Sequence, residues 1–250
     1  MTKNKIALIS GASSGIGQAT ARLFAKHHMD LILCGRRKDR LLELEQELGS
    51  LVSVKTLCFD VRSKEEVFSA IESLPSSLKI DILINNAGNA HGASPFQDGN
   101  LEDFDAMIDI NVKGLIYVSK AVIPRMLQDR AHIINMGSLA GKEVYLNGNV
   151  YCASKHAIDA LTAGLRLDLN KTQIKVSSIN PGLVETEFSL VRFKGDRDKA
   201  KSIYAGYEPL RAADVAETIL FMVKQPWHVN ISDVTILPTA QASANLVHKN

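Results

Sequence analysis

Short apolar runs alternate with stretches of helical periodicity from one end of the chain to the other. Residues 5–10 read as a buried strand stopped by Gly11, and 15–26 carry a helical spacing of apolar positions. Residues 30–34 form a second apolar run, and leucines at 41, 44 and 48 mark a helix over 40–48 closed by Gly49. A third strand is predicted over 52–59. The next helix opens at Ser63 with Glu66 at capping-box spacing and ends at Pro75. Further strands are predicted over 80–85, 132–137, 174–180 and 233–237. Helices are predicted over 101–128 as one long pattern, over 150–170 and over 212–224. Residues 187–207 are polar with patchy periodicity, and a thirteen-residue tail follows from Pro238. Strands that are apolar throughout, each followed by a helix, predict an α/β sandwich with a parallel sheet covered on both faces. No repeat or low-complexity linker divides the chain, so residues 1–250 are expected to form a single domain.

Composition narrows this little further. At 250 residues, with 46% hydrophobic and 22% charged residues, the chain holds enough apolar surface for a core. The net charge of +2 and the lack of a basic block with interleaved aromatics argue against nucleic acid. The first apolar run, following Met1–Lys5, is too short for a signal sequence or a membrane span. Cys34, Cys58 and Cys152 are odd in number and lack ligand spacing, as do the histidines. Reduced thiols, a cytoplasmic location and no metal site are expected.

Candidate chemistry begins at Gly11-Ala-Ser-Ser-Gly15-Ile-Gly17, between the first strand and the first helix. A glycine-rich turn there aims backbone N–H groups at an anion, and the helix end adds partial positive charge. Gly11 would allow the tight turn, Gly15 close approach of a ligand and Gly17 close helix packing. A pyrophosphate is the natural occupant, with a simple tight turn as the alternative. Where an NAD site would place an acid after the second strand, this chain has Gly35-Arg36-Arg37. Two guanidinium groups suit a 2′-phosphate and favour NADP, unless they only lead into the helix. Asp39 reads as helix-start chemistry. Asp60, with Val61, either meets an adenine or serves a turn.

Tyr151 and Lys155 stand four residues apart on one helix face. A phenol has a pKa of about 10, and a neighbouring ammonium should draw it down towards neutrality. Such a pair suits proton exchange in alcohol/ketone chemistry. Ser138 precedes Tyr151 by thirteen residues, at the end of the fifth apolar run.

Together, Gly11-x-x-x-Gly15-x-Gly17, Asn85-Asn86-Ala87-Gly88, Asn111, Ser138, Tyr151-x-x-x-Lys155 and Pro181-Gly182 resemble the short-chain dehydrogenase/reductase family over nearly the whole chain. The resemblance implies a Rossmann-type sandwich with about seven parallel strands. It implies Tyr151 as general acid/base, Ser138 as the holder of the substrate oxygen, and Lys155 on the nicotinamide ribose. Asn111 would keep a water that links Lys155 to solvent; by itself it reads as a helix-surface residue. Ser13, Ser14, Ile16, Asn85, Asn86, Ala87 and Gly88 would line the cofactor, and Pro181, Gly182, Val184 and Thr186 would hold the carboxamide.

The last third carries a narrower likeness. Residues 182–189, 191–196 and 228–231, with Gly35-Arg36-Arg37 and 148–150, resemble the branch of NADP-dependent 3-hydroxy acid dehydrogenases that also oxidise serine and L-allo-threonine. That branch implies a homotetramer, with Gln241 and Asn245 at a subunit contact. A carboxylate substrate needs a cation, and Arg192 and Lys194 are the candidates, unless that loop is merely solvated. Two other readings stay open: a carbonyl or 3-oxoacyl reductase of the same family, and a regulator that senses NADP(H) without chemistry.

Overall fold

A computed structural model of the chain describes residues 4–127 and 129–250. Residues 1–3, and Gln128 at the expected end of the long helix, lie outside the described residues. In chain order the elements are β1 (Ile6–Ser10), α1 (Gly15–Lys26), β2 (Asp30–Gly35), α2 (Lys38–Leu48), β3 (Val54–Cys58), α3 (Lys64–Glu72) and β4 (Ile82–Asn85). Then come α4 (Leu101–Ile108), α5 (Gly114–Val122), β5 (Ala131–Met136), α6 (Asn149–Asp168), β6 (Ile174–Pro181) and β7 (Val184–Glu185). The chain continues through α7 (Phe188–Arg192), α8 (Arg197–Ser202), β8 (Leu210–Arg211), α9 (Ala212–Lys224), β9 (Asp233–Ile236) and a hairpin of β10 (Gln241–Ser243) and β11 (Leu246–Val247).

Seven strands form one parallel sheet in the order β3-β2-β1-β4-β5-β6-β9. Alternation along β1 explains why the strand is apolar throughout. Ala7 and Ile9 face one core with Phe24 of α1, Leu41 of α2 and Ile219 of α9. Leu8 faces the other with Val67 and Ile71 of α3 and Val118 and Val122 of α5. The strand order reverses between β1 and β4, so the chain leaves these neighbours in opposite directions and opens a crevice at their carboxyl ends.

Several details differ from expectation. The helix expected over 101–128 runs in helical geometry from Leu101 to Arg125 but is not uniform: α4 and α5 are joined by a π-helical turn at Asp109–Lys113, and a 3₁₀ turn at Ile123–Arg125 carries Pro124. Asn111 sits in the π turn, its side chain buried and spent on another loop rather than on the helix surface. Its Oδ1 accepts from the Asn89 N–H at 2.9 Å, and its Nδ2 donates to the Asn89 carbonyl at 2.8 Å and to Ser154 Oγ at 3.0 Å. The capping box at Ser63 is half made. Ser63 Oγ accepts from the Glu66 N–H at 3.2 Å, while the Glu66 carboxylate instead accepts from the Asp60 N–H at 2.9 Å. The polar 187–207 stretch folds as α7 and α8. Gln241 folds back within its own chain, where its buried Oε1 accepts from the Leu183 N–H at 2.9 Å.

Candidate active site

Six strand ends contribute to one open crevice of about 520 Å³. From β1 come Gly11, Ser13, Ser14, Gly15 and Ile16; from β2, Arg36 and Arg37; from β3, Asp60 and Val61. From β4 come Asn86, Ala87 and Gly88; from β5, Ser138; from β6, Pro181, Gly182, Val184 and Thr186. Tyr151 and Lys155 close the inner end from α6.

The turn after β1 is shaped for a ligand. Gly11 and Gly15 have φ of +66° and +54°, where a side chain would be strained. At Gly17 a Cβ would come within 2.5 Å of both the Gly11 carbonyl oxygen and Asn86 Nδ2, so glycine lets α1 pack against the turn. Gly15 faces Thr186 across the crevice. The α1 N-terminus has no side-chain cap, because the Ser14 hydroxyl accepts from Arg37 instead. Its first residues, Gly15 and Ile16, line the crevice, which is how this end fits the pyrophosphate of a dinucleotide.

The arginine end is ion-paired. Arg36 Nη1 lies 3.4 Å from Asp60 Oδ2. Asp60 also serves its own turn, accepting from the Arg62 N–H at 3.0 Å. Arg37 donates to Ser13 Oγ at 3.1 Å and to Glu187 at 2.8 Å. Arg40 donates to the same Glu187 carboxylate at 2.8 and 3.0 Å. These hydrogen bonds hold the Glu187 carboxyl below the usual range. The only acid of β2, Asp30, stands at its amino end, and no acid stands at the carboxyl end where an NAD site wants one. The clustered guanidinium groups and serine hydroxyls fit a 2′-phosphate.

The tyrosine end is dry. Tyr151 is 8% exposed and Lys155 4%. The Lys155 ammonium lies 5.9 Å from the Tyr151 ring centroid and donates to the Met136 carbonyl at 2.9 Å. Burial lowers its pKa to about 8. The expectation of a phenol drawn down by its lysine is overturned here. Burial pushes the Tyr151 phenol up, and the neighbouring Tyr145 adds to the rise; the Ser138 hydroxyl and the Arg192 charge pull the other way and lose. Ser138 Oγ accepts from the Ala140 N–H at 3.1 Å and lines the crevice beside the phenol. Asn111 stands next to this pair: a Cβ on Gly88 would lie 3.1 Å from Asn111 Oδ1 and 3.6 Å from Lys155 Nζ.

The two substrate candidates separate. Arg192 lines a small recess together with Tyr151, its Nε donating to the Gly92 carbonyl and its Nη1 to the Tyr145 hydroxyl, both at 3.0 Å. Lys194 does not reach either cavity; its ammonium pairs with Asp103 at 2.9 Å. Sequence reasoning passed over Asn89, Glu187 and Phe188, which all line the crevice. Phe188 sets its ring edge-on to Tyr151 with centroids 5.7 Å apart. Asn89 sits in no motif; Glu187 and Phe188 fall within the 182–189 likeness, but only the fold of the 184–211 stretch brings them to the site.

A doubly wound sheet with a glycine turn at its switch point, a basic ribose-phosphate end and a buried Tyr/Lys pair defines a dinucleotide-dependent oxidoreductase. The family model for short chain dehydrogenases matches residues 5–196, and the chain belongs to that family. It is similar to sulfoacetaldehyde reductase 2 of Chromohalobacter salexigens, at 44% identity over 240 residues and 95% of each chain. It is also similar to the NADP-dependent 3-hydroxy acid dehydrogenase YdfG of Escherichia coli K12, at 42% identity over 98% of this chain and 99% of the relative. Among solved structures, the closed form of a serine dehydrogenase complexed with NADP⁺ superposes with a TM-score of 0.91 at 42% identity, covering 98% of this chain and 100% of that one.

Proposed function

We propose that the chain moves a hydride between NADP and the C3 carbon of a small 3-hydroxy acid of the serine, L-allo-threonine or 3-hydroxypropionate type. The observation that carries this is one crevice with the guanidinium cluster at one end and Ser138, Tyr151 and Lys155 at the other. When bound, NADP supplies the two-electron acceptor or donor. Gly11–Gly17 take its pyrophosphate, Arg36 and Arg37 its 2′-phosphate, and Asp60, Val61 and Asn86–Gly88 its adenosine and ribose. Pro181, Gly182, Val184 and Thr186 take the carboxamide, and Lys155 the nicotinamide ribose. In oxidation Tyr151 first gives up its own proton towards solvent by way of Lys155; the C3 hydrogen then leaves as hydride to the cofactor, the hydroxyl proton passes to the phenolate, and a 3-oxo acid forms. Ser138 holds the reacting oxygen. Asn111 fixes the Asn89 backbone and keeps the water that links Lys155 to solvent. In reduction a phenol kept protonated by burial is the proton donor.

The substrates named for the two relatives share an anionic head one carbon from the reacting carbon: a carboxylate in a 3-hydroxy acid, a sulfonate in sulfoacetaldehyde. Arg192, beside Tyr151, is the cation for that head, and its recess is continuous with the phenol. Activity at the same site on sulfoacetaldehyde is therefore the second reading, favoured by the 44% identical relative. A sensor without chemistry needs none of Asn111, Ser138, Tyr151 and Lys155, and all four are gathered here.

No helix of the described residues is long and apolar enough to cross a membrane. The free thiols of Cys34, Cys58 and Cys152 suit a reducing cytoplasm. Exposed apolar side chains at Ile116, Leu167, Phe221 and Leu246 suit burial in a homotetramer. The test is turnover followed by nicotinamide absorbance: NADP⁺ with 3-hydroxy acids, NADPH with sulfoacetaldehyde, each against a neutral alcohol or aldehyde of equal size. The anionic substrates should lead by about tenfold or more in kcat/KM, as expected for one charge-assisted contact. Arg192→Leu should erase that lead, and preference for the neutral compounds would contradict the reading.

A further inference from the structure

Glu187 belongs to the far wall of the crevice, 150 residues in sequence from Arg37 and 147 from Arg40. It directly precedes α7, and it lines the same crevice as the glycine turn. Both of its carboxylate oxygens are engaged by the two guanidinium groups. Arg37 also donates from Nε to the Ser13 hydroxyl and from Nη2 to the Ser14 hydroxyl. Arg36, the third guanidinium of this end, faces Asp60. An anion arriving at Arg37 therefore meets a carboxylate already paired with it.

We propose that Glu187 is a cofactor-specificity residue: a stand-in anion that clamps Arg37 and Arg40 across the crevice and that the 2′-phosphate of NADP displaces. The proposal rests on the assignment of NADP as cofactor. A phosphate monoester carries about −1.5 to −2 charges and three acceptor oxygens, against one charge and two oxygens on a carboxylate. It replaces Glu187 without leaving a guanidinium unpaired. A dinucleotide ending in a 2′-hydroxyl has no charge to exchange, so the clamp stays shut. The displacement also reaches the chemistry, because the residue after Glu187 is Phe188, whose ring rests on Tyr151. Release of the Glu187 carboxylate removes the side-chain tie on the residue that opens α7, whose backbone accepts from the Val191 N–H at 3.0 Å.

Two measurements decide it, and neither needs turnover. The first is calorimetric binding of NADP⁺ and NAD⁺ to the full chain, to Glu187→Gln and to Glu185→Gln. Glu185 is two residues away and pairs with Arg211 instead, so its variant removes the same charge but not the clamp. Glu187→Gln should widen the NAD⁺/NADP⁺ ratio of Kd values about threefold or more, since two exposed ion pairs no longer compete, whereas Glu185→Gln should leave it within about twofold. The second is amide hydrogen exchange over residues 187–195 of the unmodified protein, which NADP⁺ should alter and NAD⁺ should not. An unchanged ratio in Glu187→Gln, an equal widening in Glu185→Gln, or the same exchange response to both dinucleotides overturns the clamp. Failure of the unmodified protein to bind NADP⁺ overturns the cofactor assignment along with it; tight NADP⁺ binding with an unchanged ratio overturns the clamp alone.

Discussion

The two ends of the crevice handle charge in opposite ways. At the outer end Arg36, Arg37 and Arg40 have side chains 54%, 42% and 44% exposed, and each meets a carboxylate. Water and salt screen such pairs, so each contributes little to stability and stays free to exchange partners. At the inner end Lys155 is almost fully buried and its hydrogen bond goes to a neutral carbonyl. There burial moves the proton equilibria themselves, lysine down and tyrosine up. The wet end is suited to recognising a ligand by its charge, the dry end to transferring a proton.

Tyr151→Phe should show the contrast at its largest. Loss of the proton-exchanging hydroxyl should lower kcat by about 10²–10⁴-fold. Calorimetry should find NADP⁺ binding nearly unchanged, because the phosphate contacts lie at the other end. Next is Lys155→Met. The folded-state pKa of Lys155 is about 8, below the ordinary 10.5, so burying the ammonium costs stability on the order of 3 kcal/mol. That cost is full below about pH 8 and fades as pH rises from about 8 to 10.5. Urea unfolding at neutral pH should therefore find Lys155→Met more stable than the unmodified protein, with the gap narrowing across that window while turnover is lost at every pH. At the wet end, replacing Arg36 and Arg37 together with glutamine should raise KM for NADP⁺ about 10- to 100-fold and leave KM for NAD⁺ nearly unmoved, the loss expected of charge-assisted hydrogen bonds. The smallest effect is expected at Arg22, whose pair with Glu47 at 2.7 Å is remote from the crevice and 43%/46% exposed. Arg22→Ala should shift stability by less than about 1 kcal/mol.

Legibility in the sequence followed the same division. The sheet was readable because its inner strands are buried on both faces, and the glycine turn because backbone geometry demands residues without side chains. Ser138, Tyr151 and Lys155 were readable because helix spacing and strand ends fix them locally. The π turn at Asn111 was not, since its apolar spacing reads as uniform helix; there the side chain bonds to Asn89 of another loop. The direction of the tyrosine shift was missed for a related reason. Spacing shows which groups are neighbours, not how little water reaches them. Glu187 escaped notice because an exposed acid in a polar stretch carries no local signal, and its partners lie far away in sequence. Lys194 was the reverse case: a cation in the right segment that the fold turns to Asp103.

The most direct test of the central claim follows one hydrogen atom. A 3-hydroxy acid carrying deuterium on C3 is incubated with the protein and NADP⁺, and the reduced cofactor is analysed by mass spectrometry. Direct transfer at the inner end of the crevice should place the deuterium on NADPH, with no exchange into solvent. NADPH formed without label, or no reduced cofactor from any 3-hydroxy acid, would contradict the account.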